Sequence, residues 1–208
     1  MNWQEFTALL ALATAMSFTP GPNTTLSTAL AANHGLRRAL PFVLAVPVGW
    51  AVLLLLCAFG LGTLILAIPV LAHGIKLVGV TYLLWLAWTL ARTRPAAPSG
   101  APLAPHLRPM LLFWQGVALQ FVNIKAWMLA LAIVSGWVAG RPLFVERLAV
   151  VLPVMLVYAL ASNMTYAVAG SVLRAWLAGP HGTGRRLVWF NRSMAVVLLL
   201  TVIGIVML

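Results

Sequence analysis

Lys125 is the only charged residue between Arg108 and Arg141, near the centre of an otherwise apolar run. An ionised lysine at the middle of a membrane helix costs about 2.5–3.5 kcal/mol on insertion scales. Neither membrane surface is within easy reach, because each lies about half of a ~30 Å core away. No Asp or Glu lies at the same depth to neutralise it. Such an amine can meet an anionic group such as a substrate carboxylate, carry a proton, or be held structurally by backbone carbonyls, and the sequence leaves these three roles open. Two residues earlier stands Asn123, within Gln120-Phe121-Val122-Asn123-Ile124-Lys125-Ala126.

A second stretch with chemical potential is Thr19-Pro20-Gly21-Pro22-Asn23, inside a segment without charge from Phe6 to Gly35 apart from the His34 imidazole. Each proline removes a backbone N–H and crowds the carbonyl one turn back, and the glycine adds backbone freedom. In hydrocarbon the freed groups must find partners, so a broken helix persists where protein or a water-filled cavity receives it. Carbonyls released at Pro20, Gly21 and Pro22 can accept from an ammonium group. Asn23 and Asn123 can hydrogen-bond a substrate or tie the broken ends together. A further polar cluster, Ser162-Asn163-Met164-Thr165-Tyr166, falls at similar depth. Asn163 there suits either an interhelical hydrogen bond or a substrate contact. The candidate binding residues are therefore Pro20, Gly21, Pro22, Asn23, Asn123, Lys125 and Asn163.

The elements that carry these residues are set by composition. Of 208 residues, 63% are hydrophobic and 7% charged, against about 25% charged in soluble domains. This is an all-α membrane protein. Six apolar segments approach the ~20 residues a span needs: 3–30 (interrupted at the prolines), 40–66, 77–91, 110–138, 143–175 and 187–208. Residues 69–76 read as a short connection, and 3–30 as a retained first helix, since no Lys or Arg precedes Arg37. Trp3, Trp88, Trp176 and Trp189 fall near span ends as interfacial anchors. The Pro-rich segment 93–109 reads as an extended cytoplasmic linker. It divides a single transmembrane domain, 1–208, into 1–92 and 110–208. Three spans per half is an odd number, so the halves enter the membrane in opposite senses. The expectation is two inverted three-helix repeats, with interrupted helices one and four placing their motifs at mid-depth. The spacing of Gly136 and Gly140 suits close helix approach.

The turns after spans one, three and five hold nine Lys and Arg, and those after spans two and four hold three. Basic residues concentrate on the cytoplasmic side, which places both termini outside. The net charge of +11 is spread over short loops without interleaved aromatics, so nucleic acid is not expected as a partner. One cysteine, Cys57, and four scattered histidines offer no disulfide framework, redox pair or metal site. With no acid at depth there is no basis for an intramembrane enzyme, and a metal-cation transporter would want carboxylates or thiolates in its spans. No cofactor is implied.

The motifs resemble those of the LysE/RhtB family of bacterial amino-acid exporters, the lysine exporter and homoserine/threonine resistance type, over nearly the whole chain. Thr19-Pro20-Gly21-Pro22-Asn23 resembles the family's first-helix signature. Gly79-Val80-Thr81-Tyr82-Leu83 with Trp85-Leu86-Ala87 is similar to its third-helix pattern. Phe113-Trp114-Gln115-Gly116 leading to Asn123-Ile124-Lys125-Ala126 resembles its Asn-Pro-Lys-Ala motif, and Asn191-Arg192-Ser193 followed by Gly204 its last helix. Ile124 stands where the family usually has proline, which predicts a milder second interruption. Met194 replaces a usual glycine, and Ala39, Val46 and Pro47 occupy a region usually richer in glycine, changes that bear on pocket shape and substrate. The resemblance implies a secondary transporter of the bacterial inner membrane that exports amino acids or similar small zwitterions, driven by the proton-motive force. A homo-oligomer is compatible with it. The alternative function is a non-transporting membrane scaffold or regulator, which would leave Lys125 and the double proline without a purpose.

Overall fold

A computed structural model describes residues 1–93, 108–179 and 184–207. The expected linker lies almost entirely outside them. The described chain is helical, and its first span is divided as the prolines dictate. α1 (Trp3–Phe18) starts on a capping box in which the Asn2 side chain accepts from the Glu5 N–H at 2.8 Å and the Asn2 N–H donates to the Glu5 carboxylate at 3.0 Å. It stops at Thr19, and α2 (Pro22–His34) restarts with Pro22 at its first position, where a missing N–H costs nothing. Gly35, at φ 88°, ends α2 and admits α3 (Leu36–Ala58).

Two boundaries differ from the sequence expectation. The second span does not run to residue 66: Gly60, at φ 105°, turns the chain and α4 (Leu61–Ala67) is a separate short helix. The third does not begin at 77. α5 (Pro69–Arg92) starts at a helix-opening proline, so the expected connection 69–76 is its first two turns, and Lys76 Nζ donates to the Val206 carbonyl at 3.4 Å. The apolar composition of 61–68 hid the turn, because hydropathy does not register a single left-handed glycine.

The fourth span is two helices. α6 (Pro109–Val122) and α7 (Ile124–Ile133), the latter continuing through a π turn at Val134–Val138, bend by 65° about Asn123. The second interruption takes one residue out of the helix, against three at the first break. α8 (Phe144–Ala178) and α9 (Arg185–Met207) complete the chain. Among the described residues, four helices (α3, α5, α8, α9) are long and apolar enough to cross a membrane, and the bent α6–α7 pair, which passes the same test only when taken together, brings the candidates to five at most. α1 and α2, at 16 and 13 residues, are each too short to cross alone.

Water-driven burial contributes little between helices in lipid, so close backbone approach and buried polar pairs carry the packing. α2 packs chiefly on α8, α3 on α6, and α5 on α9. At α2–α8, a Cβ on Gly170 would overlap the Thr28 carbonyl; at α3–α6, a Cβ on Gly49 would come within 2.7 Å of the Val117 carbonyl; and at α5–α6, a Cβ on Gly79 would overlap the Val122 carbonyl. Gly136 and Gly140, whose spacing suggested a contact, face open space. Asn33 and Asn191, both buried, exchange side-chain hydrogen bonds at 2.7 and 3.0 Å and join α2 to α9. Near the α1 N-terminus, Arg147 and Arg141 lie 3.3 and 3.8 Å from the Glu5 carboxylate, and Trp137 Nε1 donates to the Glu5 carbonyl at 2.7 Å. Around the loops richest in arginine, Arg92, Arg186 and Arg192 lie over Trp88, Trp176 and Trp189. These three tryptophans and Trp3 are all exposed, as anchors at an interface should be.

Candidate functional site

The two breaks face each other. Lys125 Nζ, on the first turn of α7, donates to the Thr19 carbonyl at the end of α1 at 2.7 Å. Its stem lies against Gly21: a Cβ there would be 3.2 Å from Lys125 Cδ and 3.4 Å from Nζ. The neighbouring carbonyl, Phe18, accepts from the Tyr166 hydroxyl of α8 at 2.8 Å. The second break is closed locally, with the Phe121 carbonyl accepting from Trp127 Nε1 at 2.9 Å. The released backbone acceptors thus find side-chain donors, as helix breaks in a membrane require.

Between the breaks lies a small cavity of ≈ 60 Å³, partly open to the surroundings. Six of the seven candidate residues line it: Gly21, Pro22, Asn23, Asn123, Lys125 and Asn163. Pro20 does not; it is exposed and serves by shaping the break. Val46 and Trp50 of α3, Leu129 of α7 and Met155 of α8 form an apolar wall. α2 and α7 both begin at the cavity, so two partially positive helix ends and the Lys125 amine face it. The only two acids in the chain, Glu5 and Glu146, are absent from its lining. The site is electropositive and suits a carboxylate.

The three asparagines differ in what they have left to offer. Asn23 exchanges two hydrogen bonds with Gln120, at 2.9 and 3.1 Å, tying α2 to α6. Asn163 accepts from Ser27 at 3.0 Å and donates to the Ala159 carbonyl at 2.9 Å. Asn123 is 2% exposed, and its Oδ1 is a buried side-chain oxygen with no hydrogen-bond partner among the described residues. Sequence reasoning missed Gln120, Ser27 and the apolar wall. Gln120 carried a usable signal, as an uncharged polar residue one helical turn before Asn123 in an apolar run. Trp50 and Met155 carried none, since they look like any other apolar residue of their spans.

Comparison with known proteins identifies the family. The family described as LysE type translocator matches residues 14–208. The cysteine/O-acetylserine efflux protein of Salmonella choleraesuis (strain SC-B67) is 33% identical over 161 residues, 76% of this chain and 78% of that protein. The protein of the same description from Klebsiella pneumoniae subsp. pneumoniae is 30% identical over 183 residues, covering 86% and 87%. That of Escherichia coli O1:K1 / APEC is 30% identical over 163 residues, covering 78% and 80%. No solved structure matches the chain.

Proposed function

The chain belongs to the LysE type translocator family, and from that premise we propose that it is a secondary transporter exporting an amino acid or a close derivative from the bacterial cytoplasm. The family is one of multi-pass membrane translocators rather than enzymes. The observation that carries the reading is the Lys125 amine held at 2.7 Å on the Thr19 carbonyl, at the mouth of a cavity between two broken helices. A lysine ammonium has three donors, and this contact uses one. The others are available to a substrate carboxylate, which also meets the beginnings of α2 and α7. Asn23 and Asn163 act through their partners, holding α2 against α6 and α8. The relatives named above are described as exporting cysteine and O-acetylserine, and both are the first substrates to try.

The finer architecture belongs to the same proposal. Six spans form two inverted repeats, 1–92 and 110–208, in one domain. Supporting this, each half has one broken span, the breaks meet at one cavity, and the dominant contacts α2–α8, α3–α6 and α5–α9 all join one half to the other. The basic-residue bias places both termini outside the inner membrane. The proton-motive force drives export, and Lys125, among the described residues the one lysine, arginine, histidine or acid lining the cavity, is the group suited to carry a coupled proton. The test is to load cells expressing the protein with individual amino acids and measure which appear outside. Export of cysteine, O-acetylserine or another amino acid above the vector control is the expected result. No release of any amino acid would point to a scaffold or regulator.

A further inference from the structure

The cavity has an unmatched acceptor and lacks an anion. Asn123 Oδ1 is a buried side-chain oxygen without a partner among the described residues, in a side chain 2% exposed that lines the cavity. A buried acceptor left empty costs free energy comparable to a lost hydrogen bond, so it is suited to a donor that arrives with the ligand. Two residues further on, in the first turn of α7, stands the Lys125 amine. Opposite them the wall of Val46, Trp50, Leu129 and Met155 is apolar, and all four are nearly fully buried. The chain contains two acids, and Glu5 is engaged with Arg147 and Arg141 away from the cavity, while Glu146 lies in the first turn of α8 outside its lining.

Resting on the reading that this cavity binds an amino acid, we propose that it selects neutral α-amino acids with a free ammonium group, which Asn123 Oδ1 accepts, and rejects basic amino acids. The carboxylate goes to Lys125 and the side chain to the apolar wall. A second positive charge on lysine or arginine would sit against that wall with no carboxylate in reach, beside an amine already there. Burying such an unpaired charge is far more costly than burying a small neutral side chain. An N-acylated amino acid loses the ammonium and leaves the Asn123 oxygen unmatched. Sites built to hydrogen-bond one polar group discriminate strongly against ligands lacking it.

The test reads binding apart from flux. Purified protein in detergent is titrated with a panel of neutral amino acids that includes cysteine and O-acetylserine, with lysine, arginine, and the N-acetyl derivative and methyl ester of the best binder, and ligand-induced thermal stabilisation is followed. At least one neutral amino acid should bind saturably, with lysine, arginine and both derivatives at least about tenfold weaker. In Asn123→Ala the best binder should weaken by about tenfold while its N-acetyl derivative changes little, so the preference between the two collapses. Lysine, arginine or the N-acetyl derivative binding within threefold of the best neutral amino acid would overturn the proposal, as would no binding by any of the panel. A protein that binds with the expected pattern but moves nothing keeps this inference and loses only the export reading.

Discussion

At the first break three residues, Thr19, Pro20 and Gly21, leave the helix; at the second only Asn123 does. The first is written in prolines, and its Thr19 and Pro20 are exposed at the edge of the bundle. Its acceptors are satisfied from the other half of the chain, Phe18 by Tyr166 and Thr19 by Lys125. The second follows Asn123 with no proline at all. It is buried, closed by its own Trp127, and wedged by the bare backbone of Gly79 against Val122. The first break is made by local chemistry and completed by a long side chain reaching across from α7. The second is made by packing and completed by rigid neighbours. That difference assigns the adaptable part of the site to the Thr19–Lys125 contact and the fixed part to Asn123.

The contrast can be broken at its packing end first. Gly79→Leu should cost about 3 kcal/mol or more, because a Cβ would overlap a backbone carbonyl and not a flexible side chain. Unfolding in detergent measures it. Gly21→Ala, which meets only the Lys125 stem, should instead leave stability within about 1 kcal/mol and lower export. Next come the acceptors. Trp127→Phe strands the Phe121 carbonyl beside a buried break and should cost about 1–3 kcal/mol, whereas Tyr166→Phe, at the exposed break, should cost less than about 1 kcal/mol. Equal costs would mean that the two breaks are held in the same way. The smallest effect is expected from Ile124→Pro. Asn123 is already extended, at φ −90° and ψ 98°, as a residue before proline must be, and position 124 opens α7. Stability should rise by up to about 1 kcal/mol through the unfolded chain. A loss of several would mean that the bend depends on the isoleucine.

The same asymmetry explains what the sequence disclosed. Prolines, an isolated lysine and asparagines at mid-depth are visible as exceptions in apolar runs, so the Thr19–Asn23 break, Lys125, Asn123 and Asn163 could be read directly. Gly79 and Gly170 could not be told from Gly136, because a glycine's use depends on which backbone lies opposite. The turn at Gly60 and the true start of α5 at Pro69 sit in continuous hydropathy. The apolar wall of Trp50 and Met155 becomes a pocket only when α3, α7 and α8 come together.

The central claim is that the Lys125 amine, positioned by the first break, is what a substrate carboxylate meets. Its most direct test is export from proteoliposomes by wild-type protein and Lys125→Met, each loaded with cysteine or O-acetylserine and matched for folded protein by unfolding midpoint. Export should fall by at least about tenfold with the fold retained. Export by the folded Lys125→Met protein at the wild-type rate would contradict it and leave Lys125 as a strut between α7 and α1.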